Sequence, residues 1–366
     1  MTQSVLVLGG GIIGLSCAFE AARRGFKVTL AEPGKLGGQA SGAAAGMLAP
    51  FTENGEQPDS FFRLCLSSLK LYPEWVRAVE ECSGLAVEWE QSGSLNVFQH
   101  EADVLPAEGR MRWQNDWGAR AELVDPAALR KLEPGLSHEA AGAVFIPEES
   151  HVYAPKLVDA LAAACRRLGV TILEHAGEIG AINVGLANPI RGDRVVICSG
   201  AWTTSYEDIL GISIPIHPIR GQICSFDSPE GILRHMVFSS QAYWVGKRNG
   251  RIVCGASEDV AGYETAVTDK GIGRLTRATD RWLPRLQGIK PAHSWAGLRP
   301  ATRDGLPLIG PITRDGEWIM AAGHYRNGIL LSPVTAHLVA DMLEGSLDAK
   351  RQAAVAPFAP GRFTSR

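Results

Sequence analysis

Cysteine is sparse. The seven residues in 366 are odd in number and widely spaced, with no CxxC or CxH pair, which argues against a disulfide framework or a zinc site and leaves reduced thiols. An excess of one charge is missing as well: 36 basic and 39 acidic residues leave a formal net charge of −3 and no Lys/Arg block, so no nucleic-acid partner is expected. No apolar run approaches a membrane span, and the N-terminus lacks the charged, apolar, then small-residue order of a signal peptide, so the expected location is the cytoplasm. No metal site, internal repeat, low-complexity segment or clean linker is found, which suggests two domains interleaved along the chain. Against these absences, 45% apolar residues supply enough side chains for a sizeable core.

The stretch SVLVLGGGIIGLSCAFEAARRGFKVTLAEP, Ser4 to Pro33, reads as strand, helix, strand. Gly9, Gly11 and Gly14 fit G-x-G-x-x-G at the first turn, just before and within the helix that Ile12 and Ile13 open. Glycine there permits the tight turn, the approach of backbone to a pyrophosphate and close helix packing. Glu32 ends the second strand, where a carboxylate can accept from ribose hydroxyls. Together these parts predict a dinucleotide site. Next, GGQASGAAAGMLAP, Gly37 to Pro50, has almost no side-chain bulk. Ala40, Ser41, Ala44, Ala45, Gly46 and Met47 would let backbone lie against a flat ring, which favours FAD over NAD; by composition alone the stretch also reads as a flexible linker.

Further on, Asp59 to Cys82 shows helical spacing interrupted near Pro73, which predicts two helices with a corner. Short strands are expected within Val87 to Phe98, Ala140 to Ile146, Ile214 to Phe226 and Ala242 to Ala256, with an amphipathic helix over Tyr153 to Gly169. RVVICSGAW reads as a buried strand whose end, Ser199, Gly200 and Trp202, is a candidate to touch the cofactor. Glu317 to Gly345 reads as a strand, a polar turn of His324, Tyr325, Arg326 and Asn327, and a helix from Gly328 through Ile329 and Leu330. That helix's N-terminus would stabilise negative charge on a reduced flavin, and the same segment also fits an ordinary packing helix; Pro333 falls in its first turns, where a missing donor is tolerated. In WAGLRPATRDGLPLIG, Arg299 stands among apolar and glycine neighbours and requires a partner.

GGGIIG at 9 to 14, Glu32, SGAAAGML at 41 to 48, GLRPATRDGLPLIG at 297 to 310 and AAGHYRNGILLSP at 321 to 333 together resemble the glycine oxidases, flavoenzymes of bacterial thiamine biosynthesis in the D-amino acid oxidase superfamily, over nearly the whole chain. The resemblance implies an α/β (α+β two-domain) fold: a Rossmann-like FAD-binding domain from 1–86, 147–213 and 291–366, and an interleaved substrate domain on an antiparallel sheet from 87–146 and 214–290. It implies noncovalent FAD, since no cysteine falls in the C-terminal flavin turn. It also implies oxidation of a small amino acid to an imine by hydride transfer from Cα to flavin N5, with release of keto acid and ammonia and reduction of oxygen to hydrogen peroxide. Arg299 would grip the substrate carboxylate, with Arg326 and Tyr243 beside it; a structural ion pair of Arg299 with Asp304 is the competing assignment. Met47 would line the pocket and Glu178 would contact adenine. Gln241 and Glu258 stand where a histidine and a methionine are expected, so Glu258 either meets the substrate or points to solvent. The resemblance further implies a homo-oligomer, up to a tetramer. A dehydrogenase using a non-oxygen acceptor, or an oxidase of another small D-amino acid or secondary amine, would use the same residues.

Overall fold

The computed structural model describes residues 3–54, 58–177, 192–228, 233–313 and 315–363. Strand Ser4–Leu8 is buried on both faces, as its run of Val and Leu requires, and pairs in parallel with Lys27–Ala31 and Arg194–Ile197, Val7 standing opposite Leu30 and Val196. Thr171–Leu173 extends this sheet on one side, and Trp318–Ala322 with antiparallel Leu308–Pro311 on the other, giving six strands. The parallel strands share one carboxyl edge. The turns after Leu8, Ala31, Ile197 and Ala322 therefore converge there, the position at which open α/β sheets bind ligands.

Helices Ile12–Arg23, Ser60–Ser83, Ala154–Arg167 and Gly328–Glu344 share one core with this sheet. Two expectations about proline need correction. Ser60–Ser83 is a single helix with Pro73 inside it. Pro73 lies on the exposed face, where water can take the carbonyl that the ring leaves unpaired. Pro333 is not in a first turn, because Gly328 opens the helix and the missing bond would have gone to Ile329. The side chains of Tyr72 and Ser332 donate to the Ile329 carbonyl instead, at 2.5 and 2.9 Å, while Ser68 donates to Leu330 and accepts from the Val334 N–H.

The second sheet has eight strands in the order His293–Thr302, Ile216–Asp227, Arg251–Gly255, Tyr243–Lys247, Met236–Phe238, Ser94–Phe98, Gly142–Ile146 and Glu122–Val124. Its pairs are antiparallel except Met236–Phe238 with Ser94–Phe98. His293–Thr302, on the cofactor side of the boundary expected at 291, is hydrogen-bonded here along ten residue pairs. It thus carries Arg299 on the sheet that also carries Tyr243. A small third sheet joins Met47–Leu48 and Trp89–Glu90 to Ser150–Val152. All seven cysteines are free. Among the described residues no helix is long and apolar enough to cross a membrane.

Candidate active site

At the carboxyl edge of the six-stranded sheet lies a cavity of about 690 Å³, within the range of small-molecule sites. Its first wall is the glycine turn. A methyl at Gly9 would stand 2.5 Å from the Cys198 carbonyl oxygen, and one at Gly14 would stand 1.9 Å from that of Gly9, so close helix–strand packing fixes both. Gly9, Gly11, Ile12 and Ile13 line the cavity, whereas Gly14 lies behind it. Glu32 lines it too, accepting from the N–H groups of Gly10 (2.6 Å) and Gly34 (2.9 Å); its remaining lone pairs can take further donors.

The small-residue stretch forms the second wall, and the linker alternative fails. Ala40, Ser41, Ala44, Ala45, Gly46 and Met47 all line the cavity. Ser41 accepts from the Ile12 N–H at 2.9 Å, Trp295 donates to the Ala43 carbonyl, and Lys247 donates to the carbonyls of Ala45 (2.7 Å) and Val152 (3.1 Å). Burial pushes the Lys247 ammonium down to about 7. A methyl at Gly46 would stand 1.9 Å from the Val152 carbonyl oxygen. Small side chains thus let backbone come close to the cavity, a cradle that suits a flat dinucleotide.

The third wall comes from Ser199, Gly200 and Trp202, then His324, Tyr325, Arg326, Gly328 and Ile329. Asn327 and Leu330 sit behind it: Asn327 caps the helix and Leu330 is in the core. Burial pushes the His324 imidazole down to about 3; it is neutral and its Nε2 meets the Thr335 hydroxyl at 3.1 Å. Tyr325 adopts the left-handed region, φ +47°, and its N–H donates to the Pro300 carbonyl.

The eight-stranded sheet closes the far end with Arg299 and Tyr243. Both side chains are seated by glycine. A methyl at Gly221 would stand 2.3 Å from Arg299 Nη1, and one at Gly255 would stand 2.3 Å from the Tyr243 hydroxyl. Arg299 Nη1 donates to the Ser257 carbonyl at 2.9 Å. Among the described residues no carboxylate pairs with Arg299, and Asp304 is taken by Arg362 at 2.8 Å, which removes the competing ion pair. Burial pushes the Tyr243 hydroxyl up to about 12, so it remains a donor.

Arg326, by contrast, is paired twice, with Glu53 at 3.1 Å and Glu258 at 3.0 Å. Glu258 is therefore neither free in solvent nor on the cavity wall. Gln241 is exposed in the turn before Tyr243 and does not line the cavity, because the Ser239 hydroxyl ties the N–H groups of Gln241 and Ala242 into that turn. Glu178 lies outside the described residues. Glu53 and Gly221 carry no signal in the sequence, since their part depends on helix placement and long-range strand pairing, and Gly255 gains its part only when the strand after Tyr243–Lys247 folds back upon it.

A family model described as FAD dependent oxidoreductase matches residues 4–342. The chain is 32% identical over 93% of its length, and 93% of the relative's, to a glycine oxidase of Bacillus licheniformis. It is also 32% identical to a protein of Trichormus variabilis named bifunctional protein ThiO/ThiG, over 94% of this chain and 53% of that one. Its fold is similar to the crystal structure of glycine oxidase from Geobacillus kaustophilus, with a TM-score of 0.91 and 30% identity over 99% of each chain.

Proposed function

The chain belongs to the family of FAD dependent oxidoreductases, and from that premise we propose that it oxidises glycine and other small amines and amino acids (sarcosine, D-alanine, D-proline) to the imine, which water converts to the keto acid, releasing ammonia from glycine and D-alanine and methylamine from sarcosine, while the cyclic imine of D-proline opens without losing its nitrogen. Oxygen is reduced to hydrogen peroxide. Arg299 carries this reading, as a guanidinium on the cavity wall whose charge no protein carboxylate balances among the described residues. Its planar fork suits the bidentate grip of an amino acid carboxylate.

When bound, FAD supplies the acceptor for the hydride leaving Cα. The protein's own residues do the positioning. Gly9, Gly11 and Ile12 would hold the pyrophosphate and Glu32 the ribose. The backbone of Ala40 to Met47 would take one face of the ring system, and the turn from His324 to Ile329 would lie at its pyrimidine end. Tyr243 donates to the same substrate carboxylate as Arg299, which fixes the direction in which Cα points. No cavity side chain is needed as nucleophile, and neutral His324, bonded to Thr335, is held as a packing group. The segments 1–86, 147–213 and 291–366 would serve FAD, and 87–146 with 214–290 the substrate, with strand His293–Thr302 carrying Arg299 between them. The kinship with proteins named ThiO/ThiG supports a place in thiamine thiazole formation in the cytoplasm.

The test is hydrogen peroxide release in air from FAD-loaded protein given each of the four amines. Release from glycine is the expected result. Flavin bleached by glycine without oxygen, yet no peroxide in air, would replace the oxidase with a dehydrogenase. No reduction by any of the four would overturn the reading.

A further inference from the structure

The two arginines of the cavity are balanced in opposite ways, although the chain from Ser257 to Glu258 touches both. Ser257 offers Arg299 a carbonyl, which leaves its charge available, whereas Glu258 offers Arg326 a carboxylate, which cancels it. Arg326 Nη2 already donates to Glu53 Oε1, a side chain only 8% exposed, and Nη1 donates to Glu258 Oε1, a side chain 48% exposed. The Tyr325 hydroxyl donates to the same Glu258 oxygen at 3.1 Å and holds it in place. The three charged groups sum to one negative charge beside the cavity. Asp259, the neighbouring acid, is occupied elsewhere by Arg220, Gln222 and Ser257.

We propose that Glu258 is a specificity-determining residue that acts through Arg326: by holding that guanidinium it excludes amino acids carrying a second anionic group and keeps the site for those whose only anion is the carboxylate at Arg299. The proposal rests on the amine-oxidising reading above. A second carboxylate arriving near Arg326 meets two carboxylates already bonded to it, and like charges so close repel. With Glu258 made neutral, Arg326 and Glu53 form a balanced pair, and Nη1 is free to donate to the newcomer.

Two matched comparisons test this, each pair differing by one carboxylate. The first is the Kd for propionate and for succinate, read from the absorbance change of bound flavin; the second is kcat/KM for D-alanine and for D-aspartate. Glu258→Gln and Glu258→Ala are expected to shift both ratios toward the dianion by about tenfold, a surface-screened charge effect. Glu258→Asp, which keeps the charge, is expected to stay near the parent. Ratios unmoved in both neutral variants, or equal weakening of both ligands in each pair, would overturn the proposal and leave Glu258 a structural partner of Arg326. The binding ratio needs no turnover, so it remains readable if the amines give no peroxide; conversely, glycine oxidation stands if only the ratios fail to move.

Discussion

Arg299 announces itself in the sequence as a charge among apolar neighbours, but its socket does not. Gly221 is its seat only because two strands bring residues from opposite ends of a long sequence interval side by side, whereas Tyr243 meets Gly255 across consecutive antiparallel strands. Replacing the fork with a neutral chain, Arg299→Met, is expected to lower kcat/KM for glycine by about 100-fold, mainly through KM, because a charge-assisted bond to a carboxylate contributes roughly 1.5–3 kcal/mol. Steady-state kinetics on the FAD-loaded variant checks it. His324 gives a different kind of prediction. Its imidazole is held down to about 3, against an ordinary value near 6.5 in the unfolded chain. Its contribution to stability is therefore complete above about pH 6.5 and is lost as pH falls toward 3. Between pH 7 and pH 5 that loss is roughly 2 kcal/mol. His324→Asn removes the titration, so denaturant unfolding at the two pH values should show the parent losing about that much more than the variant.

Elements with their own periodicity were legible. The opening strand, helix and strand emerge within a residue or so of their expected ends, because burial on both faces writes continuous apolar runs and the glycines mark the turn. Helix Asp269–Trp282 leaves no such pattern. Its two glycines and six charges hide the four residues it buries, and only the eight-stranded sheet beneath it makes those four sufficient. Helix Val104–Asp116 buries just Ala107 and Gln114, too little for a periodic signal. Helix Gly328–Glu344 is legible from its spacing, but the setting of its proline is not, since the repair comes from Tyr72 on another helix. Tyr72→Phe keeps the packing and removes the donor. It is expected to cost about 1–2 kcal/mol in urea unfolding, Ser332 still bonding the buried Ile329 carbonyl in part.

At the scale of the whole molecule, the pairing of strand His293–Thr302 with Ile216–Asp227 was not legible, because only the folded chain reveals which sheet a strand joins. The cavity wall unites residues near 9, 45, 199 and 326. Binding there should raise the melting temperature with FAD concentration, as any ligand held only by the folded state does. Gly46→Ala, whose methyl meets the Val152 carbonyl, is expected to copurify with far less flavin and to show a smaller rise, measured by absorbance of the released cofactor and by thermal melts. The order in which a ribosome delivers these pieces adds a last consequence. Strand Ser4–Leu8 waits for Arg194–Ile197, which waits for Trp318–Ala322, so no nascent fragment short of Ile329 owns every residue that lines the cavity. Yellow colour in a growing cell would then mark only chains already built past residue 329, and the flavin supply would act on those molecules alone.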